Sequence, residues 1–184
     1  MPSYLGEYKG AATNRVEKLH RAINSFLLQQ VGELIIVADG CDTTINEVKK
    51  YTNSSIKLIS IEKQELFSGV VRQTGIDIAS YDWICYLDSD DEFKPNHLQT
   101  ILNNIDNQHD WMYYDFIINN RYRHSAVKMA QIGTANIIHK KSLNVTWPSG
   151  YGHDWFFIEK LGHNYKKISG TGYIVHHIPG ILDT

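Results

Sequence analysis

The stretch Trp83-Ile84-Cys85-Tyr86-Leu87-Asp88-Ser89-Asp90-Asp91 places three carboxylates directly after an apolar run. An apolar run that contains aromatic residues predicts a buried strand. Asp88 and Asp90 stand two residues apart, so on an extended chain both side chains face the same side. Neighbouring carboxylates repel one another unless a cation compensates them, and hard oxygen ligands suit Mg²⁺ or Mn²⁺. The alternative is a solvated acidic turn before a helix at Pro95, in which Asp91 favours the helix dipole.

Predicted strands and helices alternate on both sides of this stretch. We predict strands over 33–38, 56–61, 81–87, 111–118, 133–139 and 173–175. Helical spacing of apolar residues predicts helices over 14–30, 44–51, 68–80 and 152–161, and Pro95 is expected to open another. Strands joined by crossover helices predict an α/β fold with a mostly parallel, Rossmann-like sheet flanked by helices. In such folds ligands bind at the carboxyl edge of the sheet, where the acidic cluster is expected.

Composition narrows the class of protein. The chain has 184 residues, a size typical of one domain, with 42% hydrophobic residues, 21% charged residues and a net charge of −2. A net charge of this size gives no electrostatic reason to expect that the protein binds nucleic acid. The basic residues are scattered, with only pairs such as Lys166-Lys167, which leaves contact with an anionic membrane open. Cys41 and Cys85 do not form a disulfide framework and no leader or transmembrane run is visible, so we expect a cytoplasmic protein, with peripheral association at the inner face of the membrane left open.

Five features, in this order along the chain, resemble the inverting family 2 glycosyltransferases of the GT-A fold, of the bacterial polysaccharide type. They are Pro2-Ser3-Tyr4, the strand and turn at 33–42, Arg72 between Gly69 and Gly75, the cluster at 88–91, and His153-Asp154-Trp155. The resemblance implies one domain over 1–184, with a nucleotide-binding half of about 1–92 and an acceptor-binding half of about 93–184. It implies a metal-dependent transfer of a sugar from a nucleotide-sugar, expected to be a UDP-sugar, to a hydroxyl of a glycan or another acceptor.

The resemblance also implies a role for individual residues. Those expected to bind the nucleotide are Pro2, Tyr4, Asp39, Arg72 and Asp88. Those expected to hold Mn²⁺ or Mg²⁺ are Asp90, Asp88, His176 and His177. For Asp39 the alternative is a turn residue, for Arg72 a surface residue, and for the two histidines a surface or core position.

Asp154 is expected to be the catalytic base. An inverting transfer needs one carboxylate to take the proton of the acceptor hydroxyl as that oxygen attacks the anomeric carbon. The alternative is that Asp154 caps the helix predicted to begin beside it, a position that aspartate favours.

Two departures from the family pattern matter. Ala38 stands where an acidic residue is usual, and no apolar strand precedes Pro2, so the first strand of the sheet is apparently missing. A missing central strand would leave backbone groups unpaired, so we expect an upstream segment or another part of the chain to fill the gap.

Two other functions stay open. One is a nucleotidyltransferase, although its Gly-rich loop is not seen; the other is an inactive nucleotide- or sugar-binding module, against which Asp90 and Asp154 argue.

Overall fold

Strands and helices alternate through the first half of the chain. The computed structural model describes residues 1–64 and 67–184. The elements of this half are β1 (Pro2–Ser3), α1 (Arg15–Leu27), β2 (Leu34–Asp39), α2 (Asp42–Val48), β3 (Ile56–Ile61), α3 (Gly69–Ile78) and β4 (Trp83–Cys85). The helical spacing predicted for 14–30 is confirmed, because Leu19 and Ile23 on one face of α1 are fully buried.

The second half contains shorter elements. They are β5 (Glu92–Phe93), α4 (His97–Leu102), β6 (Trp111–Tyr113), β7 (Phe116–Ile118), β8 (Arg121–Arg123), β9 (Ile137–Lys140), α5 (His153–Lys160), β10 (Tyr165–Lys167), β11 (Tyr173–Ile174), β12 (His177–Ile178) and β13 (Leu182–Asp183). Two 3₁₀ turns, Thr134–Asn136 and Lys141–Leu143, flank β9.

The strands form a three-stranded parallel sheet, two four-stranded mixed sheets and one antiparallel pair. The parallel sheet has the order β1-β2-β3, with Pro2 opposite Val37 and Leu34 opposite Ile56. A second sheet has the order β10-β6-β9-β4, in which β9 runs antiparallel to β6 and β4. A third has the order β5-β11-β7-β8, and β12 pairs with β13. The predicted α/β fold, a sheet flanked by helices, is therefore confirmed.

Three sequence predictions about local structure are wrong. The first half of the strand predicted over 133–139 forms the 3₁₀ turn Thr134–Asn136, and β9 begins only at Ile137. The apolar run 111–118 forms two strands in different sheets, β6 and β7, rather than one. The break falls at Asp115, whose carboxylate accepts a hydrogen bond of 2.8 Å from the Ser125 backbone and pairs with Lys167 at 2.6 Å. Pro95 does not open a helix, because Asn96 adopts the left-handed conformation (φ 66°) and α4 begins only at His97.

The first strand is present, but it is short. Pro2 and Ser3 form β1 rather than a turn after it, and the Met1 amine continues the parallel ladder by donating to the Ile35 carbonyl at 2.7 Å. Beyond Met1, an apolar cavity of about 420 Å³ lies between β2 and β4. Within the described part of the chain, no strand pairs with the edge of β4 that faces this cavity. The predicted gap in the sheet is thus a space between two strand edges.

Residues 1–64 and 67–184 include no helix that combines the length and apolar character required to cross a bilayer.

Candidate active site

A cleft of about 840 Å³ opens at the carboxyl ends of the parallel strands. All the residues predicted to bind the nucleotide line it, together with Asp90 and His177 from the predicted metal set. The nucleotide set is Pro2, Tyr4, Asp39, Arg72 and Asp88. Parallel strands end at the same edge of a sheet, so residues far apart in the sequence meet there.

Asp39 ends β2 and already has partners within the protein. Its two carboxylate oxygens accept hydrogen bonds of 2.7 Å from Lys63 Nζ and from the Gln64 backbone N–H. Lys63 Nζ also lies 4.5 Å from the centre of the Tyr4 ring, within the range of a cation–π contact. Asp39 is therefore a buried acceptor whose charge Lys63 compensates, and it lies beside an aromatic ring on which a base can stack.

Arg72 links the acidic cluster to the segment that carries Asp154. This side chain on α3 is buried, and its guanidinium donates to Asp88 Oδ1 at 2.8 Å. A second nitrogen of the same group lies 3.3 Å from His153 Nε2, and its carbon lies 5.3 Å from the Trp147 ring. Burial disfavours the charge of Arg72, but Asp88 and Asp154 outweigh it and raise the pKa of the guanidinium. The alternative of a surface arginine is wrong.

The acidic cluster is electrostatically crowded. Burial, followed by the charge of Asp88, raises the pKa of Asp90. Asp91 is buried and accepts hydrogen bonds of 2.9 Å from the Tyr173 hydroxyl and 2.8 Å from the His176 backbone N–H. Burial and the two neighbouring carboxylates raise the pKa of Asp91 well above its usual range. The alternative role for Asp91 at a helix amino terminus is wrong, since α4 begins six residues later.

The chemistry of this cluster fits a hard divalent cation. Adjacent carboxylates that hinder one another's ionisation are relieved by a positive charge, and Mg²⁺ is commonly held by one or two carboxylates plus substrate phosphates. Among the described residues, however, no group of three or more His, Cys, Asp or Glu side chains is arranged to hold a metal ion by itself. A cation here would need ligands from a bound phosphate or water.

The two histidines predicted as metal ligands lie in different surroundings. His177 lines the cleft with Asp88 and Asp90. The ring of His176 turns elsewhere, with Nε2 lying 3.3 Å from Glu92 and Nδ1 3.0 Å from the Thr184 hydroxyl. The ring nitrogens of His177 also have partners within the protein, since Nε2 lies 3.2 Å from the Gly10 carbonyl and Nδ1 lies 3.4 Å from Asp183. His177 therefore borders the cleft, but neither histidine directs a free ring nitrogen at the acidic cluster.

Asp154 lies in the first turn of α5 but does not cap it. The N-cap position belongs to Gly152 (φ 75°), so the alternative role as a cap is wrong. Asp154 Oδ1 lies 2.9 Å from His153 Nε2, while His153 Nδ1 lies 3.2 Å from the Gly150 carbonyl, to which it donates. Burial opposes the charge on Asp154, but the contacts with His153 and Arg72 outweigh it and lower the pKa of the carboxyl to about 2. Asp154 is therefore ionised at neutral pH.

Aromatic packing holds this segment in place. Phe157 of α5 is fully buried and stacks on Trp147 with ring centres 4.0 Å apart and planes 4° from parallel. The Trp147 indole N–H donates to the Tyr86 hydroxyl at 3.2 Å. Tyr86 precedes the acidic cluster by two residues, so the same core anchors both carboxylate-bearing segments.

Sequence reasoning missed several residues of the cleft, among them Lys63, Tyr8 and Arg15. The Arg15 guanidinium lies 4.8 Å from the Tyr8 ring centre. Lys63 follows β3, the neighbour of β2, so its position was accessible from the predicted strand order. Tyr8 and Arg15 lie in and after an irregular segment that carries no comparable signal.

Comparison with known proteins places the chain in one family. Residues 11–164 match the family described as glycosyl transferase family 2. The chain is 33% identical over 97 residues to the poly(ribitol-phosphate) β-N-acetylglucosaminyltransferase TarP of Staphylococcus aureus, and 33% identical over 99 residues to the succinoglycan biosynthesis protein ExoO of Rhizobium meliloti. These matches cover 49% and 52% of the chain but only 29% and 28% of the relatives.

Solved structures show the same fold. Residues 1–349 of TarS from S. aureus superpose with a TM-score of 0.74 at 18% identity, over 95% of this chain and 58% of the other. The complex of the same fragment with UDP-GlcNAc superposes with a TM-score of 0.74 at 19% identity, over 95% and 56%. A complex of that fragment with UDP is similar to the chain as well. The chain thus spans a little more than half of these structures and under a third of the matched relatives.

Proposed function

Because the chain belongs to glycosyl transferase family 2, we propose that it transfers a sugar from a UDP-sugar to a hydroxyl acceptor, with inversion at the anomeric carbon and with help from Mn²⁺ or Mg²⁺. One observation carries the proposal. The cleft gathers the predicted nucleotide residues and Asp90, and Arg72 links this group to His153 and thereby to Asp154. We assign donor binding to about residues 1–92 and acceptor binding to about 93–184.

The cleft suits a nucleoside diphosphate. Tyr4 offers a ring for the base, and Asp39 offers carboxylate oxygens that accept from a base N–H in place of the Gln64 N–H. Lys63, Arg15 and Arg72 provide positive charge along the same wall. The complexes of TarS with UDP and with UDP-GlcNAc support this choice of donor, since the shared fold covers 95% of the chain.

The acidic cluster faces the position of the leaving diphosphate. Asp90 and Asp88 would hold the divalent ion, which supplies compensation for the charge that develops on the diphosphate. His177 lines the same wall of the cleft. Arg72 holds Asp88 in place through its 2.8 Å hydrogen bond, so the carboxylate stays directed into the cleft.

Asp154 takes the proton. As the acceptor oxygen attacks the anomeric carbon, its O–H bond breaks and the proton passes to the Asp154 carboxylate. The bond from the anomeric carbon to the diphosphate oxygen breaks with its electron pair, and UDP leaves. His153 and Arg72 keep Asp154 ionised and oriented for this step. Attack from the side opposite the leaving group inverts the anomeric configuration.

Calorimetric titration with UDP, in the presence and absence of Mn²⁺, tests the donor site. We expect binding that requires both components, and slow hydrolysis of a UDP-sugar to UDP and free sugar. A chain that binds UDP equally with and without the metal ion would contradict the metal dependence. A chain that binds no uridine nucleotide would contradict the donor assignment.

A further inference from the structure

Two exposed aromatic rings lie beside the proposed base, and none of the contacts proposed for the donor uses them. Tyr151 is 88% exposed and Phe67 43% exposed, and their ring centres lie 6.4 Å apart, edge to face. The Phe67 ring centre lies 5.5 Å from that of His153, whose Nε2 lies 2.9 Å from Asp154. We call Phe67 and Tyr151 the aromatic platform. Tyr151 is the most exposed large apolar side chain in the described part of the chain, and its contact with Phe67 makes a continuous aromatic surface next to a reactive carboxylate, where a ligand can bind.

The backbone on both sides presents these rings rather than burying them. Tyr151 stands between Gly150 (φ 89°) and Gly152 (φ 75°), two left-handed residues that turn the loop sharply outward. Phe67 itself has φ 61°, a conformation that a bulky residue adopts only at a cost in free energy. Strain of this kind persists where the surrounding structure imposes it and is concentrated at ligand sites.

We propose that the aromatic platform binds a pyranose ring of the acceptor, an inference that rests on the proposed function. The C–H face of a pyranose packs against the negative face of an aromatic ring, while its hydroxyl groups remain free at the rim. Phe67 also lines the donor cleft, so a sugar on the platform lies between that cleft and Asp154. The base must touch the acceptor hydroxyl, which places the acceptor on this side and the nucleotide on the side of Tyr4.

Saturation-transfer NMR in the presence of UDP tests the proposal with two probes and an open-chain control. The probes are methyl β-D-glucopyranoside and methyl N-acetyl-β-D-glucosaminide, and ribitol is the polyol without a ring. We expect saturation of the ring C–H protons of the pyranosides and none for ribitol. The substitution Tyr151→Ala should weaken pyranoside binding by about threefold to tenfold, the range of one aromatic contact.

Two matched variants test whether pyranoside binding depends on the ring face of Tyr151 rather than on its hydroxyl or on the loss of any exposed tyrosine. Tyr151→Phe retains the ring and should bind the pyranosides within about twofold of the parent, because stacking uses the ring face. Tyr81→Ala removes a tyrosine that is 57% exposed just before β4, at the opposite end of that strand from the acidic cluster, and should change nothing. Thermal melts show that each variant is folded.

Several outcomes would overturn the proposal. The first is that the pyranosides show no saturation transfer. The second is that ribitol binds as well as the pyranosides. The third is that the Tyr151→Ala chain binds the pyranosides as tightly as the parent chain. A Tyr151→Ala chain that loses self-association or binding to anionic phospholipid vesicles, with pyranoside binding unchanged, would assign the platform to another partner. Failure of the proposed function differs from all of these, because the parent chain then binds no UDP.

Discussion

An apolar extension of the chain before Met1 should stabilise the fold, and more strongly at acidic pH. The Met1 amine lies where a parallel strand would place a peptide N–H, donating to the Ile35 carbonyl beside the cavity between β2 and β4. Burial lowers the pKa of this amine from 8.0 to about 5. A peptide bond at this position keeps the N–H but does not titrate. Six β-branched residues, a typical strand length, would also occupy the cavity.

The size of the expected change in stability follows from the shift in the pKa of the Met1 amine. Between pH 5 and pH 8 the unfolded chain binds a proton at Met1 more readily than the folded chain, so the stability of the folded state rises with pH. The lowered pKa destabilises the folded chain by about 4 kcal/mol below pH 5, and about 1 kcal/mol of this destabilisation remains at pH 7. Burying each added side chain stabilises the fold by about 1.5–3 kcal/mol, but ordering its backbone costs about 1–2 kcal/mol. The net stabilisation from each added residue is therefore smaller than the effect of the amine at acidic pH, and it does not depend on pH.

Urea denaturation at pH 8, 6 and 5 measures the effect on three chains, namely the parent, the parent acetylated at Met1 and the extended chain. Acetylation removes the charge without filling the cavity, so the parent should lose about 3 kcal/mol more than the acetylated chain between pH 8 and pH 5. The apolar extension should show the same flat profile with additional stability, and an extension of six Gly and Ser residues controls for length. Parallel pH profiles for parent and acetylated chains would refute the reasoning, because the amine would then be solvated.

Further predictions concern the cleft. Asp90→Asn should remove most of the Mn²⁺-dependent part of UDP binding in calorimetry, and unchanged affinity would reduce the cluster to a structural turn. Asp154→Asn should lower transfer by roughly 10²–10⁴-fold with UDP affinity retained, and transfer at the parental rate would place the base elsewhere. Asp154→Ala should lose the same activity but not the roughly 1 kcal/mol that removal of a helix cap costs, because Gly152 holds the cap position; urea denaturation measures this. Arg72→Met should raise the pKa of Asp154 from about 2, so that the acid limb of the pH–rate profile moves to higher pH; an unmoved limb would contradict the influence of Arg72 on the base.

The elements with strong periodicity were predictable from the sequence. The bounds predicted for β3 are those observed, and the stripe in α1 faces the core, because both signals depend on neighbours along the chain. The break between β6 and β7 was not predictable, since it depends on contacts of Asp115 with Ser125 and Lys167, far along the chain. The start of α4 was missed for a local reason, the left-handed conformation of Asn96, which Pro95 does not reveal.

The site was predictable where it follows from strand order. Asp39 and Asp88 end strands of one predicted α/β sheet, so their meeting in one cleft follows from the topology. Neither the engagement of Asp39 by Lys63 nor the position of Gly152 as the cap of α5 has a sequence signal of that strength. The first depends on the direction of the Lys63 side chain, and the second on the left-handed backbone conformation of Gly152, neither of which follows from spacing along the chain.

The buried guanidinium of Arg72 couples the charges of Asp88 and Asp154, and on the proposed function this coupling joins the donor side to the acceptor side. One positive charge serves Asp88 on the nucleotide side and, through His153 and by its field, Asp154 on the acceptor side. A bound diphosphate that attracts the Arg72 guanidinium would weaken the interaction of this group with Asp154. The pKa of the Asp154 carboxyl would then rise, and the carboxylate would be a stronger base. Linkage is reciprocal, so protonation of Asp154 must alter the affinity for the diphosphate by the same factor by which the diphosphate alters the proton affinity of Asp154. On the proposed function, Asp154 is therefore most basic when the diphosphate is bound, which is the state in which it must accept the proton.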